Sequence, residues 1–215
     1  MRNKSKKAVI LLSGGADSAV TLYWAKSKNY KLQALIFDYK QRHRKEVECA
    51  KKISRLNRVK YYIVNTDLSW AKSSLIDKRI KISLNRNLNK KGIPSTYVSG
   101  RNIIFLSYAF SLAESIGAEY IFIGAHTEDY SGYPDCRPEF LRNFQKAANS
   151  GMKGGLIAIK APLVNKSKKQ IIKIGLKLGV PFQFTWSCYQ GGNKPCLKCD
   201  SCRFRAKAFR ALEAG

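Results

Sequence analysis

Six residues near the start of the chain, Ser13-Gly14-Gly15-Ala16-Asp17-Ser18, set two hydroxyls, two glycines and a carboxylate directly after the apolar run Val9 to Leu12. A buried strand that breaks on glycines and opens a helix aims several backbone N–H groups at one point. The helix dipole adds partial positive charge there. The chemistry that suits such a point is phosphate binding. The stretch lacks the lysine and the spacing of the kinase-type loop, G-x-x-x-x-G-K-[ST]. A plain turn between strand and helix also uses Gly-Gly, so the weight rests on the whole of SGGADS and its context.

A second constellation closes the chain. Cys188, Cys196, Cys199 and Cys202 are spaced C-x7-C-x2-C-x2-C. Thiolates so spaced turn back on one metal, and four of them suit a tetrahedral Zn²⁺ with bonds of about 2.3 Å. Gly191, Gly192 and Pro195 supply turn chemistry, and Lys194, Lys198, Arg203 and Arg205 offset the thiolate charge. Four protein ligands close the shell, so the zinc is expected to be structural. An iron–sulfur cluster is the competing use of four thiolates, and two disulfides or idle thiols are the remaining alternative. Cys49 reads as a small core residue on the inner face of a helix. Cys136 stands among polar residues where it could line a site.

The elements that must position these groups follow from periodicity. Ala8–Leu12 reads as a buried strand, Asp17–Asn29 as the helix after it, Lys31–Phe37 as a second strand ending at Asp38-Tyr39. His43–Leu56 is a helix with Val47, Ala50 and Ile53 on one face, and Lys60–Val64 is a third strand. Asn102–Ile116 is a helix with an apolar face of Ile103, Leu106, Phe110 and Ala113. Tyr120–Gly124 is a fourth strand ending at Ala125-His126. A polar stretch from Asp129 to Phe140 leads into a helix reaching about Asn149, and Leu156–Ala161 is a fifth strand. Ser167 caps a helix to Leu178, stopped by Gly179. This alternation predicts an α/β fold, a doubly wound parallel five-stranded sheet whose ligands sit at the carboxyl ends of the strands. Between Asp67 and Gly100 the periodicity fades. The basic run within it (Lys78, Arg79, Lys81, Arg86, Lys90, Lys91) reads as a mobile lid or a basic surface loop.

Composition bounds the rest. A chain of 215 residues, 45% of them hydrophobic, makes one domain or one domain with an appendage. No apolar stretch approaches the roughly 20 residues of a membrane span. The apolar run before Ser13 is too short for a signal-peptide core, so the expectation is a cytoplasmic chain with reduced thiols. Forty Lys plus Arg against 14 Asp plus Glu give a net charge of +26, which attracts polyanions. Many of these lysines read as solvated helix faces: Lys26, Lys28, Lys51, Lys52, Lys168, Lys169, Lys173 and Lys177.

SGGADS resembles the SGGxDS signature of the PP-loop, or ATP-pyrophosphatase, superfamily. Four further segments narrow the resemblance: FDYKQRHRKE (Phe37–Glu46), GIPSTYVSGRNIIFLS (Gly92–Ser107), DYSGYPDCRPEF (Asp129–Phe140) and the four cysteines. Together, over about Val9 to Arg210, the chain is similar to the 7-cyano-7-deazaguanine synthase family. Two positions depart from the family pattern. Lys40 stands where Gly is usual, and Ser99 where Pro is usual.

The resemblance implies an adenine nucleotide alpha hydrolase-like catalytic domain over residues 1–187, with a zinc-binding segment over 188–215 packed on it. It implies an ATP-dependent ligase that converts 7-carboxy-7-deazaguanine and free ammonia to the nitrile through an adenylated carboxylate and then an adenylated amide, in queuosine or related deazapurine synthesis. Leu12, Ser13, Gly14, Gly15, Ala16, Asp17, Ser18, Ala19, Phe37 and Tyr39 are implied at ATP, with Asp17 on Mg²⁺. Asp17, Ser18 and Arg101 are implied in catalysis. Gln41, Arg42, His43, Arg101, Asn102, Asp129, Ser131, Asp135, Arg137 and Glu139 are implied at the second substrate. His43 and His126, the two histidines, read equally as structural groups or as acids and bases. Expected partners are small molecules and a second copy of the chain, a homodimer, with no membrane and no nucleic acid. The rival reading is a tRNA-modifying PP-loop enzyme of thiolase or lysidine synthetase type, which the positive charge favours.

Overall fold

The computed structural model describes residues 5–87, 92–126 and 133–213. Its elements run β1 (Lys7–Leu11), α1 (Ala16–Ser27), β2 (Lys31–Asp38), α2 (Lys45–Leu56), β3 (Lys60–Asn65), α3 (Arg101–Ile116), β4 (Tyr120–Phe122), α4 (Pro138–Ser150), β5 (Ala158–Lys160), α5 (Lys168–Lys177) and α6 (Asp200–Glu213). The five strands pair in parallel in the order β3-β2-β1-β4-β5. The chain winds outward from β1 through β2 to β3, then returns to the far side of β1 as β4. The carboxyl ends of β1 and β4 therefore flank the crevice where winding reverses, the place where such sheets bind ligands.

β1 is central and covered on both faces, which is why it reads as an unbroken apolar run. Val9 and Leu11 face one layer with α3 residues Phe105, Leu106, Ala109, Phe110 and Ala113. Ala8, Ile10 and Leu12 face the other with Leu22, Ala25, Val47, Ala50 and Ile53 of α1 and α2. Each large side chain so buried contributes roughly 1.5–3 kcal/mol. A third cluster joins α1 (Ala16, Ala19, Val20), α5 (Ile171, Ile172) and α6 (Ala208). Gly175 makes that contact possible: a Cβ there would lie 2.4 Å from Phe182 Cζ and 2.7 Å from Val20 Cγ2.

Several expectations need correction. β4 and β5 are three residues each, shorter than 120–124 and 156–161. The last rung of β4 is the Ile123 N–H on Lys160 O at 3.0 Å; beyond it the backbone passes the start of α1, where a Cβ on Gly124 would sit 3.1 Å from Asp17 C and Ser18 N. Leu156 is 84% exposed, and the Ile157 N–H donates to Asn149 Oδ1 before β5 begins. On α3, Ile103 is exposed; Phe105 and Ala109 take the buried face instead.

The stretch from Asp67 to Gly100 is a packed wall where it is described, not a lid. Leu68, Ala71, Leu75 and Val98 enter the core layer under α3. Ser73 and Ser74 are buried, and the Ser74 N–H donates to Ser95 O at 2.8 Å. Burial here follows irregular turns, so it has no period for a sequence pattern to display. Lys90 and Lys91 lie outside the described residues.

Candidate active site

A cleft of about 1200 Å³, counting its open mouth, lies over the ends of β1 and β4. Its walls come from five stretches of chain: Leu11 to Ser18, Phe37 to Glu46, Arg101 to Phe105, Ile123 to Ala125, and Trp186 to Ser201, with Leu75, Tyr133 and Cys136 between them.

The glycine stretch forms the first wall. Gly14 adopts φ +83, and a Cβ on it would meet Glu46 O at 2.1 Å and Ala50 N at 2.8 Å. Only glycine allows α2 to press against the loop this closely. Gly15 caps α1 without a side chain, so the first N–H groups of the helix have no partner within it. Ser13 Oγ donates to Ser18 Oγ at 3.0 Å, and Ser18 Oγ donates to Gly15 O at 3.1 Å. Both hydroxyls and these N–H groups sit at one point over a helix N-terminus, an arrangement that receives an anion.

Asp17 is the one acid of this loop, and Lys168 holds it. The Lys168 ammonium donates to both Asp17 oxygens at 2.6 Å. His126 Nε2 lies 3.5 Å from Asp17 Oδ2 and 3.4 Å from the ammonium. Burial by itself would push the Asp17 carboxyl up; Lys168 first, then His126, outweigh it and hold the carboxyl below the ordinary range. Lys168 therefore does not belong with the solvated lysines. Its side chain is 13% exposed, because Ser167 caps α5 through a capping box with Gln170 and turns the first helical residue toward α1.

The opposite wall is built on α3. Gly100 takes φ +64 at the helix start. Arg101 Nη1 donates to the Tyr39 hydroxyl at 3.3 Å, and its guanidinium lies 5.9 Å from the centroid of that ring. Phe37 stacks on Phe105 with centroids 3.7 Å apart, forming an aromatic floor. Gln41 accepts the Tyr39 N–H at 2.8 Å and donates to Phe37 O, so it braces the end of β2. Asn102 gives its N–H to Asp135 Oδ2 at 3.0 Å and its Nδ2 to Cys136 Sγ at 3.2 Å.

The structure thus brings Leu12, Ser13, Gly15, Asp17, Ser18, Phe37, Tyr39, Gln41, Arg101 and Asn102 to one cleft. Other candidates lie elsewhere. Gly14 underlies the loop, while Ala16 and Ala19 face α5 rather than the cleft. The Arg42 side chain donates to the carbonyls of Ser74, Asp77 and Ile80, pinning the 67–100 wall. His43 packs beneath Gly191, where a Cβ would touch it at 2.8 Å, and interacts with the Cys188 backbone. Asp135 is buried and caps α3; Arg137 and Glu139 are exposed at the start of α4. Asp129 and Ser131 lie outside the described residues. Sequence reasoning passed over Glu46, Lys168, Trp186, Ser187, Tyr189 and Ser201, which reach the site from separate elements.

The four cysteines gather behind the Trp186 wall. Their sulfurs all lie within 4.8 Å of one another, with Cys196 and Cys202 at 4.0 Å. A tetrahedral zinc with bonds of about 2.3 Å needs sulfurs about 3.8 Å apart. The Cys196 N–H donates to Cys188 Sγ and the Cys199 N–H to Cys196 Sγ, each at 3.3 Å, as thiolate ligands accept such bonds. The donor set fits a four-coordinate metal. Cys49 packs half-buried against it. The segment is tied to the rest of the fold: the Trp186 N–H donates to Gly14 O at 3.0 Å, its indole N–H to Cys188 O at 2.9 Å, and the Lys45 ammonium, 4.0 Å over the indole, donates to Gly192 O at 2.6 Å.

A parallel sheet reversing at β1, with a glycine loop opening a helix at that point, defines a nucleotide-binding α/β enzyme fold of the PP-loop kind. The same fold occurs in a solved NMN synthetase from Francisella tularensis, with a TM-score of 0.55 and 18% identity over 90% of this chain and 71% of that one. The family model described as "Queuosine biosynthesis protein QueC" matches residues 7–213, and the chain belongs to that family. The 7-cyano-7-deazaguanine synthase of Trichodesmium erythraeum (strain IMS101) is 47% identical over 214 residues, 96% of each chain. That of Gloeothece citriformis (strain PCC 7424) is 49% identical over 215 residues, 97% of this chain and 92% of its own. The tRNA-modifying reading is not favoured by these likenesses.

Proposed function

We propose that this protein is an ATP-dependent carbon–nitrogen ligase that turns 7-carboxy-7-deazaguanine and ammonia into 7-cyano-7-deazaguanine for queuosine or a related deazapurine. The observation that carries the proposal is the full-length likeness to synthases of that name. The cleft supports it, with a phosphate-type loop and a guanidinium, Arg101, among its walls.

A carboxylate is a poor electrophile because it would have to expel oxide. Bound with its pyrophosphate end on Ser13, Gly15 and Ser18, ATP offers its α-phosphorus to the substrate carboxylate. The C–O–P link so formed gives a good leaving group, and ammonia displaces AMP to leave the amide. A second activation at the amide oxygen, followed by its loss, gives the nitrile. Arg101 is suited to hold the carboxylate and then the charge that develops on phosphate. Phe37 and Tyr39 flank the nucleotide, and Asn102 orients the second substrate, with Asp135 fixing the start of α3. Gly14, Ala16 and Ala19 serve by letting the loop pack. Asp17 is the ligand available to Mg²⁺, which would neutralise the departing pyrophosphate. Cys188, Cys196, Cys199 and Cys202 would hold a structural Zn²⁺. A homodimer in the cytoplasm, with a catalytic domain over 1–187 and a zinc segment over 188–215, completes the proposal. Among the described residues no helix is long and apolar enough to cross a membrane.

The test is direct. Incubation with ATP, Mg²⁺, ammonium and 7-carboxy-7-deazaguanine should yield the nitrile by mass spectrometry, with two ATP cleaved to AMP per product. No nitrile, with adenylated tRNA bases in its place, would transfer the assignment to the rival class.

A further inference from the structure

We propose that Glu46 is the catalytic base of the cleft, binding ammonium and taking its proton to release the ammonia that attacks the activated carbonyl. The inference rests on the ligase reading above and goes further, placing the second nucleophile.

Glu46 stands in the first turn of α2, whose backbone abuts Gly14, and its side chain joins the cleft wall with Gln41, Arg101 and Ser187. Among the described residues its carboxylate makes no hydrogen bond and no ion pair. The other described acids near the cleft have partners: Asp17, the residue assigned to Mg²⁺, pairs with Lys168, Asp135 holds the start of α3, and Asp200 Oδ2 meets Arg86. Among the described residues lining the cleft, Glu46 is thus the one acidic side chain with no partner of its own. The charged and titratable groups acting on it are Arg101 from α3, Tyr39 from the end of β2 and Cys49 one turn along α2. Lys45, its neighbour, is drawn away to the carbonyls of Gly192 and Asn193. Burial pushes the Glu46 carboxyl up to about 7, against the pull of Arg101, so near neutrality it both ionises and accepts protons.

The chemistry needs such a group. At neutral pH dissolved ammonia is almost wholly ammonium, which has no lone pair. The Glu46 carboxylate takes one proton, giving the acid and ammonia. The lone pair of ammonia forms the C–N bond at the acyl carbon. The C–O bond to AMP breaks, and AMP leaves with that electron pair. The extra proton on the new nitrogen passes to the phosphate of AMP, and Glu46 returns its own to solvent.

The experiment compares wild type with Glu46→Gln and Glu46→Asp in three assays: pyrophosphate exchange into ATP driven by the carboxylate, amide formation with ammonium, and capture of the activated acid by hydroxylamine, which is unprotonated at neutral pH. In E46Q, exchange and hydroxylamine capture should stay within about threefold of wild type. Amide formation at pH 7 should fall about 10²–10³-fold, the range of a lost general base. Wild type should level off above about pH 7, while E46Q should keep rising about tenfold per unit with free ammonia. E46D should recover part of the loss. Equal losses with both nucleophiles, an unchanged rate with ammonium, or parallel pH profiles would overturn the role of Glu46. Failure of the wild-type protein to exchange pyrophosphate at all would instead overturn the ligase reading beneath it.

Discussion

The ammonium of Lys168 lies 2.6 Å from both carboxylate oxygens of Asp17, joining the first residue of α5 to the first turn of α1 at the phosphate-type loop. Neither residue is well exposed. Lys168→Met leaves a half-buried carboxylate without its counter-charge, and breaking such a pair costs about 3 kcal/mol. Urea unfolding should show that loss, and ATP turnover should fall at least tenfold. The Asp17 carboxyl is held below its ordinary 3.8. The pair therefore stabilises the fold above that pH and is lost only as pH falls well below it. The gap between wild type and variant should persist at pH 5. A gap that closes by pH 5 would contradict the pairing.

Glu46 should titrate in the opposite sense. Its carboxyl rises from 4.5 to about 7 on folding. A raised carboxyl stabilises the fold below the unfolded value and loses that contribution as pH climbs through 7. Glu46→Gln should melt with wild type at pH 4 and above it at pH 8. The difference should be on the order of 1 kcal/mol once solvent screening at the cleft mouth is allowed for. Equal melting temperatures at pH 8 would contradict the shift.

Gly14→Ala places a methyl group into the Glu46 carbonyl and strains φ +83. The α2–loop contact must open, and overpacking of this kind costs about 1–3 kcal/mol before any loss of function. Nucleotide affinity, read by calorimetry, should fall further than stability does. A variant that binds ATP normally would show that the loop is not the nucleotide site.

Removal of metal should reach the cleft. Stripping the four cysteines with a chelator, or Cys199→Ser, should lower the melting temperature and weaken ATP binding together, because Trp186 bonds Gly14 and leads into the thiol cluster. Elemental analysis should find one zinc per chain in wild type and in Asp17→Ala. Iron in its place would change the identity of the centre.

At Lys40 two small effects oppose each other. It takes φ +61, where the usual glycine has no side chain to strain, and pairs with Asp67 across an exposed surface. Lys40→Gly relieves about 1 kcal/mol of strain. It forfeits a surface ion pair worth less than that and loosens the unfolded chain. The net change in stability should stay within about 1 kcal/mol of zero, with the KM for ATP unaltered.

The parts legible in the sequence were those encoded locally. SGGADS shows its use because a strand end, two glycines and a helix start are consecutive. The cysteines show theirs because metal-ligand spacing is short. Ser167 and Gln170 announce a helix start for the same reason. Lys168 was misread because a lysine in a helical run looks solvated until its turn is aimed. Glu46 and Trp186 were passed over because nothing nearby in sequence marks them; only the packing of α2 on Gly14 and of the Cys segment on the loop brings them in. Of the two readings of the stretch from Asp67 to Gly100, the lid fails because Leu68, Ala71, Leu75 and Val98 are buried on turns that display no period, while Lys78, Arg79 and Lys81 are exposed as a basic surface loop requires.

The cleft also couples nucleotide holding to the integrity of the whole domain. The side wall from Trp186 to Ser201 leans on Gly14 from far along the sequence. Contacts of such long range form only after the entropy of closing the intervening loop has been met. Loosening either the sheet or the cysteine segment therefore opens the pocket before the domain as a whole is lost.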